Sequence, residues 1–329
     1  MAQEPSRNRK TGGRVRSQDG ISIAMKIQAT LNFITPCFCA GANRLEAEIR
    51  APSIRGELRW WFRCLGGTKQ AEDAIFGSVA GNGCASLLQV RVSDITRANE
   101  IYSPTHTQLT DPGAYLHYYL DVPPQNGQSR LWTTPPDPKT RRRGVPRRES
   151  CLPAGSSFVL RLHAMRRIPD EYREQFKLAI CAMLRFGSIG FRHTRGFGAW
   201  NWSEEPIFFS GLEQLTKEVQ KVAPDFSFWF APNAANNRDG LLNQIETRLK
   251  AIRKPSTAGV QGFPARNPTA LGHTGAHGRQ ASAVRFRPVQ IQTKKGDTQY
   301  RVVIFQAPDR VLGANVSEPR RIVPEFIPK

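Results

Sequence analysis

The chain has 329 residues, of which 39% are hydrophobic, and this is enough apolar material for about two folded domains. Its 47 Lys and Arg outnumber its 27 Asp and Glu, so the formal net charge is +20 and the isoelectric point is near 10.4. A polyanion is therefore the expected partner. Because no apolar run approaches the roughly 20 residues of a membrane span, nucleic acid is favoured over a membrane.

The first part of the chain predicts a tail, a strand and a helix. Residues 1–20 are polar and basic, which predicts a disordered tail. Apolar and polar residues alternate over 23–33, as in a strand with one buried face. Helical spacing follows over 53–65, with Ser53 as a suitable N-cap and Gly66 as the residue that ends the helix.

The same alternation of elements continues and is interrupted once. Residues 95–155 are rich in Pro, Gly and Tyr without sustained periodicity, so we interpret them as an insertion in a domain that spans 21–205. The patterns around it predict a short helix over 71–75, strands over 88–93 and 158–165, a helix over 170–186 and a strand over 199–202. With the first strand and helix the order is βαββαβ, which is that of the ferredoxin-like fold.

Residues 206–329 predict a second domain. Helical spacing over 212–222 and 241–252 is followed by strand-like alternation over 284–291 and 300–305. Between them, a glycine-rich stretch at about 254–280 carries basic residues and no acid, and we interpret it as a basic loop. The predicted fold class is α+β, with tandem ferredoxin-like domains of which the second is incomplete.

The cysteines and histidines give no sign of a cofactor. The six cysteines form no Cys-x-x-Cys pair and no secretory signal is apparent, so we expect reduced, mostly buried thiols in a cytoplasmic protein. His273 and His277 have the spacing that suits a metal on a helix, but they lie in the glycine-rich stretch. We therefore predict no metal and no cofactor.

A glycine-rich segment over 187–198, with the sequence GSIGFRHTRGFG, is the densest candidate binding element. Glycines let backbone N–H groups approach a phosphate, arginines bind phosphate oxygens, and aromatic rings stack on bases. The alternative is a glycine-stabilised turn between a helix and a strand. The candidate contacts from this chemistry are Gly190, Phe191, Arg192, Arg195, Gly196 and Phe197.

A second candidate is a stripe of arginines on the first predicted helix. Arg55, Arg59 and Arg63 recur every four residues and so project along one face. Three like charges in a row repel one another unless an anion lies across them. The alternative is a solvated face relieved by Glu57 or by acids elsewhere.

Four stretches together resemble a known family. They are 35–43 (TPCFCAGAN), 49–63 (IRAPSIRGELRWWFR), 72–78 (EDAIFGS) and the glycine-rich segment 187–198. The combination resembles the RAMP proteins of CRISPR systems, and within them the first subunit of the type III-B Cmr effector complex. The family usually has a glycine where this chain has Ser188, and beyond residue 205 the resemblance is weak.

The resemblance implies an RNA-binding subunit with ferredoxin-like domains. It would bind CRISPR guide RNA, or the duplex of guide and target RNA, near the end distal to the 5′ handle and beside other RAMP subunits. In that family a different subunit cleaves the target, so we expect no catalytic residue here. The RNA contacts carried over by the resemblance are Arg55, Arg59, Arg63, Arg192, His193 and Arg195, with Asn43 and Arg44 as further candidates.

Two other functions remain open at this point. One is a metal-independent RAMP endoribonuclease that processes repeats, in which His193 or His163 would act as general acid or base. No partner base is apparent for either, and we prefer packing or ligand contact for His193 and a satisfied sheet position for His163. The other is a CRISPR-independent RNA-binding protein, for which the net charge would suffice but which leaves the paired motifs unexplained.

Overall fold

A computed structural model describes most of the chain. The described residues are 25–79, 83–104, 115–117, 129–137, 139–140, 142, 144–202, 211–253, 273–275, 278–280, 282–293 and 295–308. The predicted tail over 1–20, most of the basic loop over 254–280 and part of the 95–155 insertion lie outside them.

The first half of the chain folds in the predicted order, with short strands added inside the insertion. Its elements are β1 (Lys26–Phe33), α1 (Ala51–Cys64), α2 (Lys69–Phe76), β2 (Leu88–Thr96), β3 (Trp132–Thr134), β4 (Val145–Pro146), β5 (Ser157–Ala164), α3 (Asp170–Phe186) and β6 (Trp200–Trp202). The longer strands form an antiparallel sheet in the order β2-β5-β1-β6. β1 and β5 are therefore central, which is the arrangement that the βαββαβ order predicts.

The start of α1 differs from the sequence prediction. The helix begins at Ala51 after Arg50, whose side chain does not cap it, and Pro52 occupies the first turn. Proline suits this position because its fixed φ is helical and the N–H it lacks would have no partner there. Ser53 is thus inside the helix rather than its N-cap. At the other end Gly66 adopts a φ of 86°, as a glycine that ends a helix commonly does.

The second half of the chain contributes a smaller sheet. Its elements are α4 (Leu212–Val222), β7 (Ser227–Phe230), α5 (Arg238–Arg253), β8 (His273–Gly275), β9 (Gly278–Gln280), β10 (Val284–Gln292) and β11 (Thr298–Gln306). β11 lies between β10 and β7 and is antiparallel to both. The sequence prediction missed β7, because four residues are too few to show a period.

The two faces of this second sheet pack against different partners. Val303 and Phe305 belong to the same buried cluster as residues of α1 and of the first sheet, so we call their side the α1 face. Val302 and Ile304 alternate with them and belong to a cluster with Leu241 of α5, so we call the other side the α5 face. The second sheet is therefore enclosed on both sides.

Helix α1 joins the two halves of the molecule. The ring of Trp61 stacks on Phe226 with centroids 5.5 Å apart and lies 5.3 Å from Phe305, both in the second half. On the same helix, Phe62 lies 6.2 Å from Phe176 of α3. Aromatic rings at these separations stabilise the folded state by more than the burial of their apolar area alone. The arginine stripe thus sits on a helix that is held from two sides.

Candidate nucleic-acid interface

The glycine-rich segment 187–198 is a closed loop fastened to the protein at both of its sides. Backbone hydrogen bonds connect Ile189 N to Gly198 O at 3.1 Å and Phe191 N to Phe38 O at 3.1 Å. On the other side, the backbone N–H of Phe286 in β10 donates to Thr194 O at 3.0 Å. The loop therefore lies between the segment that follows β1 and the second sheet.

The glycines of this loop are needed for contact with the protein itself. A Cβ atom on Gly190, whose φ is 90°, would lie 2.9 Å from Cys39 N. One on Gly196, also at φ 90°, would lie 2.5 Å from Ile245 Cδ1. Both conformations favour glycine, and at Gly190 the backbone of Phe38 and Cys39 leaves no room for a side chain. The structure thus gives these two glycines a packing role, and their contact with a phosphate stays a prediction from the sequence.

The side chains of Phe197 and His193 are turned toward the protein interior, whereas the sequence predicted both to contact RNA. Phe197 is 0% exposed, with its ring 5.6 Å from Phe38 and 5.1 Å from His117, so neither ring face is open to a base. Burial and the nearby charge of Arg285 lower the pKa of His193 to about 4. The imidazole is therefore neutral at pH 7. The predicted stacking role of Phe197 does not fit this enclosed position.

The arginine stripe of α1 is engaged by α2. Nε of Arg59 donates to Glu72 at 2.5 Å and Nε of Arg63 donates to the same carboxylate at 2.7 Å. Arg55 donates to the backbone carbonyl of Phe76 at the end of α2. These contacts match the alternative that acids elsewhere relieve the stripe. Glu57, which was the nearer candidate, is not the acid that does so.

Glu57 instead forms a buried ion pair with the second half of the chain. Its Oε1 accepts from Arg285 Nη1 at 2.5 Å and from Trp61 Nε1 at 3.1 Å, and the Glu57 and Arg285 side chains are each 5% exposed. The guanidinium carbon of Arg285 lies 3.4 Å from the ring centroid of Trp60. A buried pair with these added contacts fixes α1 against β10.

An exposed cationic surface lies at the edge of the glycine-rich loop. We define the Arg44–Arg130 surface by Arg44, Arg130 and Phe191. Nε of Arg130 donates to the backbone carbonyl of Arg44 at 3.0 Å, and its guanidinium lies 5.6 Å from the centroid of the Phe191 ring. Arg44 is exposed, while Arg130 and Phe191 are partly buried. The structure thus brings together two predicted contacts and one residue that was not predicted.

The charges of this surface are not neutralised by nearby acids. Among the described residues, no ion pair is formed by Arg44 or Arg130. Burial, and then the positive charge of Arg44, lower the pKa of Arg130 below its usual value. Asn43 shapes the turn that presents Arg44, because its Oδ1 accepts from Leu45 N at 3.0 Å. Two like charges held together in this way favour an anion.

Sequence reasoning missed Arg130 because it lies in the 95–155 insertion, where no period or motif marks it. The available signal was indirect, since long insertions are often functional. The two cations of the glycine-rich segment are Arg192 and Arg195. Arg195 has its guanidinium 6.0 Å from the Tyr115 ring, and Arg192 is partly buried with a φ of 62°.

His163 lies elsewhere, on the solvent face of the first sheet. In the strand register it is opposite Lys26 of β1 and Gln89 of β2, and it is partly exposed. His163 and His193 are therefore on different surfaces. Nothing in the described residues joins them into one acid–base pair.

A metal-ligand cluster and a membrane-spanning helix are both absent from the described residues. No group of three or more His, Cys, Asp and Glu side chains in this part of the chain could hold a metal ion. None of the described helices combines the length and apolarity required to cross a bilayer.

Comparison with known proteins gives matches at three levels. The profile described as "RAMP superfamily" matches residues 30–200. The "CRISPR system Cmr subunit Cmr1-2" of Pyrococcus furiosus is 26% identical over 182 residues, which are 51% of this chain and 90% of that protein. The "CRISPR system Cmr subunit Cmr1-1" of the same organism is 26% identical over 163 residues, or 46% of this chain and 40% of that protein.

A solved structure resembles most of the chain. The crystal structure of apo Cmr1 from Pyrococcus furiosus superposes with a TM-score of 0.50 at 18% sequence identity, covering 90% of this chain and 92% of that one. At this identity the likeness concerns the fold. Its coverage includes most of the second half of the chain, which lies beyond the profile match.

Proposed function

Because the chain belongs to the RAMP superfamily, we propose that it is a non-catalytic RNA-binding subunit of a type III-B CRISPR effector complex, the Cmr complex. Two relatives named as Cmr subunits support the assignment to this complex. The net charge of +20 supports a polyanionic partner. The partners in this proposal are guide RNA, target RNA and other RAMP subunits, in the cytoplasm.

The observation that carries the RNA-binding part is the Arg44–Arg130 surface. The positive charge of Arg44 is close enough to lower the pKa of Arg130, neither residue forms an ion pair among the described residues, and the guanidinium of Arg130 lies beside the ring of Phe191. Such a group binds a phosphate well, because each guanidinium offers several donors in one plane. We therefore place the principal contact with the RNA backbone here, with Asn43 shaping the turn and Arg192 and Arg195 on the neighbouring loop.

The arginines of α1 have a different place in the proposal. Arg59 and Arg63 hold Glu72 and so join α1 to α2, and Arg55 holds the end of α2. We assign these three side chains mainly to the packing of the two helices. Their contact with RNA stays a prediction from the sequence.

Two finer parts of the proposal concern position and fold. By its resemblance to the first Cmr subunit, the protein would bind the guide RNA, or the guide–target duplex, near the end distal to the 5′ handle. We also interpret the two sheets as tandem ferredoxin-like domains. In support, β7, α5, β10 and β11 form a βαββ unit with β11 central, which is the first part of the pattern seen in the first half.

The absence of catalysis is part of the proposal and can be tested directly. Purified protein incubated with repeat-containing RNA should give no discrete cut. A general acid at pH 7 requires a protonated group, and the low pKa of His193 removes that form. Site-specific cleavage that His193→Ala abolishes would contradict the proposal and favour the repeat-processing endoribonuclease.

The test of the whole proposal is to sequence the RNA that co-purifies with the protein from its native host and to identify the proteins in the same fraction. We expect short RNAs that share one repeat-derived 5′ handle, together with other RAMP subunits. The Arg44→Ala/Arg130→Ala double variant should carry less of this RNA. Transfer or ribosomal RNA without such partners would favour a CRISPR-independent RNA-binding protein.

A further inference from the structure

A cleft opens between α4 and the α1 face of the second sheet. Its volume is about 600 Å³, which lies within the range of ligand sites. Apolar side chains from the sheet form one wall, and the first two turns of α4 form the other. The lining includes Glu213 and Lys217 of α4 and Phe230, Val289 and Arg301 of the sheet.

One aromatic ring of the sheet is left for this cleft. Phe226, Phe228 and Phe305 pack on one another, with ring centroids 4.9 to 5.7 Å apart. Phe230 follows on the same strand as Phe228, is partly buried, and takes part in no ring contact among the described residues. The ring of Phe230 therefore lines the cleft without stacking on another ring of the described residues.

The same cleft also holds the guanidinium of an arginine from β11. Arg301 is paired in register with Val289, so its side chain is on the α1 face beside the apolar wall. It is partly buried, and its Nε atom is enclosed without a hydrogen-bond partner among the described residues. Lys217 of α4 adds a second cation and Glu213 adds one acid, so the lining has a net charge of +1.

We propose that this cleft binds one nucleotide of a single-stranded RNA, with the base on Phe230 and the phosphate between Arg301 and Lys217. This rests on the proposed function, which supplies the RNA. Proteins commonly bind single-stranded nucleic acid with an aromatic ring beside cationic side chains. The ring stacks on a base of any type, and the cations neutralise the adjacent phosphate. The Arg44–Arg130 surface adjoins a loop that packs on the α5 face. The cleft on the α1 face is therefore a second contact.

The test is photocrosslinking of the full chain to a single-stranded RNA that carries 4-thiouridine, followed by mass spectrometry and by affinity measurements. We expect a crosslinked peptide that contains Phe230. Phe230→Leu keeps the apolar wall but removes the stacking face, so affinity should fall about tenfold, and Phe230→Trp should restore it. Arg301→Gln should reduce the salt slope by about one phosphate contact.

The controls separate failure of this inference from failure of the proposed function. Lys295→Gln removes an exposed charge from the turn between β10 and β11 and should leave affinity within about twofold. Unchanged affinity in Phe230→Leu and Arg301→Gln, while Arg44→Ala/Arg130→Ala weakens binding, would overturn the cleft and leave the proposed function standing. Free AMP that binds the cleft while RNA gives no crosslink there would also overturn it.

Discussion

Two groups of arginines in this protein differ in what faces their guanidinium groups. Arg59 and Arg63 of α1 both bind the carboxylate of Glu72, whose side chain is 6% exposed. Arg44 and Arg130 lie side by side and form no ion pair among the described residues. By spacing alone the first group was the more regular candidate for RNA, yet the second has the charges that remain available.

An exposed or regularly spaced arginine therefore indicates a binding site only when no carboxylate of the protein already neutralises it. An arginine that holds a carboxylate contributes to the folded state, and its removal should change the free energy of unfolding. Two neighbouring arginines repel each other in the folded state, and an external anion that binds between them relieves this repulsion. Variants of the two groups should therefore affect different measurements.

The largest expected effect concerns the buried pair of Glu57 and Arg285. Glu57→Gln leaves the charge of Arg285 enclosed without a carboxylate, so the free energy of unfolding should fall by about 3–5 kcal/mol. Denaturant unfolding followed by tryptophan fluorescence measures this. The exposed Glu171→Gln should change stability by no more than about 0.5 kcal/mol. Equal stabilities of the two variants would contradict a structural role for the pair.

The next effect is on RNA affinity, through the Arg44–Arg130 surface. Arg44→Ala/Arg130→Ala removes two phosphate contacts, so the dissociation constant should rise roughly 10- to 100-fold with a shallower salt dependence. Fluorescence anisotropy over a salt series measures both. Arg166→Ala/Arg173→Ala makes the same change in charge on and beside α3 and should weaken binding far less. Equal losses would show that net charge alone accounts for the binding.

A smaller effect is expected from the carboxylate that joins α1 to α2. Although burial alone would raise it, hydrogen bonds from Arg63 and Arg59 hold the pKa of Glu72 below its ordinary value of 4.5. Glu72→Gln should therefore lower the free energy of unfolding by about 1–2 kcal/mol at pH 7. The stabilisation is present above about pH 4.5 and is lost as the pH falls through the lower folded-state pKa. A difference between variant and parent that does not diminish as the pH is lowered from 7 through and below 4.5 would contradict this origin.

The smallest effect tests the sequence prediction for the arginine stripe. Arg63→Ala should change RNA affinity by less than about threefold, because its guanidinium is held by Glu72 and contributes chiefly to the contact between the helices. Arg63→Lys keeps the charge but loses the two-donor contact with Glu72, so fluorescence anisotropy should show RNA binding like that of the parent while denaturant unfolding shows a lower stability. A loss of affinity close to that of Arg44→Ala/Arg130→Ala would return the stripe to the RNA-binding surface.

Periodicity predicted most of the elements of the fold. The alternation after Met25 and the helical spacing of 170–186 each predicted an element with one buried face, because the period of the apolar residues is a local property of the sequence. Boundaries that depend on capping were less secure, as the place of Ser53 inside α1 shows. β7 needed its pairing with β11 to be recognised, and that pairing joins residues far apart in the chain.

For the candidate site, the residue types and the charge can be read from the sequence, and they indicate the class of partner that we propose. Which cations are neutralised depends on the folded chain, because Glu72 contacts the stripe across a helix–helix interface and Arg130 contacts Arg44 across 86 residues of chain. It also enclosed Phe197 and gave Gly190 and Gly196 their packing role. Electrostatic pairing and burial depend on distance in space, and the sequence records only distance along the chain.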